Sequence, residues 1–200
     1  MRTRAGRVFI NVPFDAKYER LYVALVAGLV ALGYVPHAAL EVPATVDRLR
    51  RIFDLLQSCE HSIHDLSRVQ LDGNSPRCPR FNMPFEAGLA FALSLRDKNH
   101  GCAIFEAKEF RLQKTLSDLN GIDPYIHNGT IKGVMISLAD FAESGGVKAN
   151  IDALVSLNKQ VSQLAQDIKL QNGSLFRPNS YRQLVAVSQD VAIAEGYIPG

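Results

Sequence analysis

The sequence predicts an α/β protein built on a doubly wound parallel sheet of about five strands, and three observations carry that expectation. Short runs rich in β-branched and aromatic residues alternate at least four times with apolar stretches of helical period. The links between them are too short for anything but right-handed crossovers, which put helices on both faces of a parallel sheet. The 200 residues are also 47% hydrophobic, the content of a chain that buries a core.

Taken in order, residues 7–12 (Arg-Val-Phe-Ile-Asn-Val) read as a central strand. Pro13-Phe14-Asp15 breaks it, and Asp15 is placed to cap a helix over roughly residues 16–32 that stops at Gly33. Residues 34–40 read as a second strand. Thr45 is the expected cap of the next helix, with Val46, Leu49, Phe53 and Leu56 on its inner face and Arg48, Arg50 and Arg51 in solvent. A third strand ends near Asp65, and residues 68–81 form a long loop of the kind that binds ligands. Beyond the helix that follows come a strand over 102–106, a short helix over 110–119, a weak strand over 125–127 and a helix from 130 towards 143. The expected strand order is the flavodoxin-like one.

Gly145-Gly146 punctuates the chain, so the expected organisation is an α/β domain over 1–146 and a helical hairpin over 147–200. In the hairpin, Leu154, Leu157, Val161, Leu164 and Ile168 form an apolar seam. It serves either to pack back onto the domain or to join two copies, so a homo-oligomer through the C-terminal helices is open. Asn172-Gly-Ser ends the first of these helices. Ser180-Tyr-Arg-Gln183 matches a capping box for the last, with Leu184, Val187 and Val191 on one face.

A formal charge of +2 argues against bulk attraction to nucleic acid or membrane. Cys59, Cys78 and Cys102 are odd in number and far apart. They suggest no disulfide framework and no zinc site, and with no secretory signal read at the start the expected location is cytoplasmic. Residues 21–35 carry no charge but are too short for a bilayer span, so a buried helix is expected. No Walker loop, GxGxxG or GxSxG is present. His61 and His64, three apart on a strand, face opposite ways and would not share a metal ion. No metal and no cofactor is expected.

The stretch Asn82-Met-Pro-Phe-Glu86-Ala-Gly88-Leu-Ala90 opens an apolar helix. Asn82 is its expected cap, and Phe85, Leu89 and Leu93 its expected buried stripe, with Gly88 and Ala92 keeping one side small. Glu86 then lies at the helix mouth, where the dipole would favour its ionised form. In a doubly wound sheet ligands bind beyond the carboxyl ends of the strands at the switch in strand order. Asp15, Asp65 and Glu86 all fall at that edge.

At Asp65-Leu-Ser67 and Asn82-x-x-Phe-Glu86-x-Gly88-x-Ala90 the chain resembles the TIR-like and nucleoside 2-deoxyribosyltransferase-like superfamily. Val12-Pro-Phe14 with Tyr18, Leu21-Tyr22 and Gly33-Tyr34 is similar to that group's first loop and helix. The likeness spans about residues 7–107; the 68–81 loop is longer than is usual in the group, and Phe85 stands where Tyr is frequent. The resemblance implies an N-glycosyl hydrolase or transferase acting on a nucleotide or nucleoside, with NAD possible as substrate rather than cofactor. It implies catalytic roles for Glu86 and Asp65. Asn11, Asp15 and Asn82 are candidates for lining the same crevice, and Arg77 and Arg80 for meeting a phosphate. The alternative is a nucleotide-binding or TIR-type signalling module without turnover.

Overall fold

The computed structural model describes residues 6–43, 47–69, 78–119 and 121–199. Its centre is one parallel sheet of strands β1 (Arg7–Asn11), β2 (Val35–Ala38), β3 (His61–Asp65), β4 (Gly101–Glu106) and β5 (Tyr125–Ile126). The order is β2-β1-β3-β4-β5, with every neighbouring pair parallel. Order and direction are those expected. The chain leaves β1 outward to β2, then returns to β1's other side as β3, so the switch point lies between β1 and β3.

Alternation along the strands assigns the two faces. Val8, Ile10, Ile63 and Phe105 point into a large core shared with helices α1 (Glu19–Ala31) and α5 (Ile131–Ser144). Phe9 points the other way, into a smaller core with Ile52 and Leu56 of α2 (Arg48–Gln57) and Ala90 of α3 (Asn82–Arg96). A third cluster joins Leu66, Met83, Ala87 and Ile104 to Leu112 of α4 (Arg111–Thr115).

The C-terminal helices α6 (Ile151–Asn172) and α7 (Pro178–Ala194) pack on α1, outside the sheet, and belong to the same core. Leu154, Leu157, Val161 and Ile168 of the seam are buried within this chain, whereas Leu164 is 39% exposed. This third layer explains the charge-free helix. From Leu21 to Ala31 every residue of α1 is buried, because sheet side and solvent side are both covered. No helix among the described residues is long and apolar enough to cross a membrane.

Several local expectations are corrected. Of the expected stripe on α3, Leu89 and Leu93 are half-buried against the Phe9, Ile52 and Ala90 core, but Phe85 is 52% exposed and the fully buried positions are Met83, Glu86, Ala87 and Ala90. Gly88 has open space beside it, and Ala92 is exposed, so neither serves close packing. Asn82 is the first helical residue and Phe81 the cap position, with no side-chain cap bond. Leu49 of α2 is 51% exposed, since Ile52 rather than Leu49 pairs with Leu56 against the sheet. Thr45 and Val46 fall outside the described residues. α7 begins at Pro178, a favoured first-turn residue, and Ser180 donates to the Ser174 carbonyl instead of capping.

Candidate functional site

The carboxyl ends of β1, β3 and β4 carry Asn11, Asp65 and Glu106, all buried. Asp65 continues the Ile63 side of β3 towards α1 and α5. It is fully buried, accepts a hydrogen bond from the Tyr18 hydroxyl and takes the Ser67 N–H at 2.8 Å. His127 Nε2 lies 3.0 Å from the same carboxylate but out of line for a hydrogen bond. Asp65 thus ties the end of β3 to the start of α1 and to the turn after β5. Glu106 is held in the same manner by Arg111 Nε at 2.9 Å, and Arg111 also reaches the Leu66 carbonyl.

Asn11 lies on the other face. Its amide donates to the Met83 carbonyl at 2.9 Å and meets His64 Nδ1 at 3.1 Å, fastening the first turn of α3 to β1. Burial pushes the His64 imidazole down to about 3, so it is neutral. An amide N–H on Nδ1 leaves the proton on Nε2, a buried atom with no partner among the described residues.

Asp15, after β1, works as a hub. Its Oδ1 accepts the Lys17 and Tyr18 N–H groups at 3.0 and 3.1 Å, closing a turn before α1 rather than capping the helix itself. Its Oδ2 takes Arg68 Nε at 2.8 Å and Arg80 Nη1 at 3.2 Å. Arg68, backbone bonds and Coulomb attraction together hold the Asp15 carboxyl below its usual range, against a sizeable opposing effect of burial. Among the described residues, two guanidiniums share this one carboxylate, and a guanidinium carries more N–H donors than one such contact uses. Arg77 lies outside the described residues; Asn82 is exposed on the first turn of α3.

Glu86 differs from these carboxylates. It is 9% exposed and has no hydrogen bond or ion pair among the described residues. Ala90, one turn on, packs with Phe9 and Ile52, while Met83 and Ala87 pack with Leu66 and Ile104. Glu86 therefore sits on the side of α3 turned towards β1 and α2, where Arg48 is close enough to act on it. Burial pushes its carboxyl up to about 7, and Arg48, already engaged with the Val42 and Ala39 carbonyls, only partly opposes this. Burial thus opposes the ionised form that the helix mouth is expected to favour. Asp65 and Glu86 approach the strand ends from opposite faces of the sheet.

The fold and this edge define a class, the doubly wound parallel α/β proteins with a polar switch-point edge. No family model matches the chain, and neither curated proteins nor solved structures give a match. Reasoning from sequence missed Tyr18 as the partner of Asp65, His127 beside it, Arg68 on Asp15, and Arg48 near Glu86. Only Tyr18 left a trace, within the motif around the first loop. Arg48 reads as one of three solvated arginines until α2 is set beside α3.

Proposed function

We propose that this protein breaks or transfers the N-glycosidic bond of a nucleotide or nucleoside, an NAD-like substrate being favoured, with Glu86 as the acting carboxylate. The observation that carries this reading is Glu86 itself, a buried carboxyl at the switch-point edge with no hydrogen bond or ion pair among the described residues. Holding such a group costs stability, and sites that accept this cost are commonly functional. The TIR-like and deoxyribosyltransferase-like resemblance supplies the chemistry. As the bond from ribose C1′ to the base nitrogen breaks, the bonding pair leaves with the base and positive charge builds on the sugar. An ionised Glu86 stabilises that charge or captures C1′ as an ester, and water or a second acceptor then takes the sugar.

The other residues take supporting parts. Asp65, spoken for by Tyr18 and Ser67, is a positioning residue that fixes the β3 end. Asn11 sets the first turn of α3, and with it Glu86. Arg68 and Arg80, preset by Asp15, suit a phosphate and favour a nucleotide over a bare nucleoside. The experiment is release of free base from NAD and from a nucleoside and nucleotide panel, by wild type and Glu86→Gln. The reading expects turnover of at least one phosphorylated substrate and a loss of about two to three orders of magnitude in the variant. Thermal stabilisation by a nucleotide without any base release would point to the signalling module instead.

A further inference from the structure

At the pole opposite the switch point a cavity of about 710 Å³ opens where the sheet meets the C-terminal helices. This is the size of a small-molecule site. Its apolar wall is Val30, Leu32, Val147, Ile193 and Ile198; its polar groups include Tyr34, Lys148, Gln189, Asp190 and Tyr197. None of these residues belongs to the edge described above.

The backbone gives the cavity a sign. Helices α1, α5 and α7 all end at its rim, and each ends in the same way. Tyr34 N–H bonds Leu29 O at 3.0 Å, Val147 N–H bonds Ala142 O at 2.9 Å, and Tyr197 N–H bonds Ala192 O at 2.8 Å. A glycine at positive φ precedes each of these residues: Gly33 at 89°, Gly146 at 80° and Gly196 at 73°. These closures turn the chain so that Tyr34, Val147 and Tyr197 all line the cavity. Each helix brings the negative end of its dipole, roughly half an elementary charge. Lys148 and Asp190 cancel as formal charges, and neither forms an ion pair among the described residues. The balance left at the rim is negative.

We propose that this cavity binds a small organic cation, an ammonium or guanidinium head on an apolar body. The head sits among the helix ends and Asp190, beside the aromatic ring of Tyr197, and the body lies on the Val30, Leu32 and Ile193 wall. An anion would meet three unfavourable dipole ends and gain only Lys148, an exposed side chain. Because α1 also carries Tyr18 at its other end, an occupant here touches the element that holds Asp65.

The test is calorimetric titration of the full chain with benzyltrimethylammonium, against benzyl alcohol and benzoate as neutral and anionic counterparts. Saturable one-to-one binding of the ammonium alone is expected. Asp190→Asn and Tyr197→Ala should each weaken it roughly five- to tenfold, and Lys148→Ala should tighten it by removing a like charge. Asp190 and Lys148 are exposed, so their variants keep the fold. Glu86→Gln should leave the binding unchanged, which separates this site from the glycosidic reading. Absence of saturable binding would overturn the proposal. So would ammonium binding indifferent to both Asp190→Asn and Tyr197→Ala, or preferential benzoate binding that Lys148→Ala abolishes.

Discussion

Glu86 shows how one residue's surroundings set its chemistry. A carboxyl lifted from 4.5 to about 7 by burial binds a proton in the folded state over a range where the unfolded chain has released it. Stability from this group is therefore fullest below pH 4.5 and falls as pH rises towards 7. Glu86→Gln removes the ionisation, so at pH 8 the variant should be more stable than wild type, by at most about 3 kcal/mol. At pH 4 the two should melt together. Thermal melts at both values check this, and a destabilised variant at pH 8 would mean the helix dipole matters more than burial. His127 supplies a second residue-scale prediction. The first turn of α5 passes so close to it that a Cβ on Gly133 would lie 1.9 Å from the His127 carbonyl oxygen. Gly133→Ala must force the first turn of α5 and the His127 backbone apart. It should cost several kcal/mol, on the order of 3, seen as a fall in melting temperature.

At the scale of elements, α6 separates two roles that look alike in sequence. Leu157 is 1% exposed and Leu164 39%, although both fit the same apolar spacing. Leu157→Ala should cost about 2–5 kcal/mol and Leu164→Ala well under half of that; denaturant midpoints decide. Equal effects would mean that Leu164 is buried in solution, as between two copies. This pair also marks where sequence pattern stops informing. β1 and β4 were legible because buried parallel strands run apolar, whereas β2 with Pro36 and His37 and β3 with His61 and His64 lack such a run; α1 was legible because its fifteen-residue neighbourhood, 21–35, lacks any charge. The roll of α3 was legible only in part. Leu89 and Leu93 pack on the Phe9 core as their spacing predicts, but Phe85 is exposed and the fully buried positions are Met83, Glu86, Ala87 and Ala90. The choice is made by space: small residues let α3 lie close to the sheet, and the Asn11 bond to Met83 fixes its roll. The candidate edge was legible in Asp15, Asp65 and Glu86 because strand ends follow from topology. Its partners, such as Arg68 and His127, come from loops whose geometry no periodicity encodes.

For the whole molecule, the boundary at Gly146 that punctuates the sequence does not divide the core. α1 is the central helix, enclosed by the sheet, α5, α6 and α7. A chain ending at residue 146 would expose the side of α1 that α6 and α7 cover and should aggregate or melt without cooperativity. A soluble fragment with a sharp transition would show that the α/β part stands alone. Among the described residues, the strand ends carry the buried carboxylates Asp65 and Glu106, and Glu86 near them is a buried carboxyl without a hydrogen bond or ion pair. The most direct measurement of its role is the pH dependence of kcat/KM for base release by wild type, over pH 5 to 9, on whichever substrate of the panel turns over. If the ionised carboxylate acts on the sugar, the rate should climb tenfold per unit at low pH and level off above a midpoint of about 7. Glu86→Gln should lack that limb and run two to three orders of magnitude slower on the plateau. A wild-type profile flat across this range, matched in rate by the Gln variant, would contradict the account.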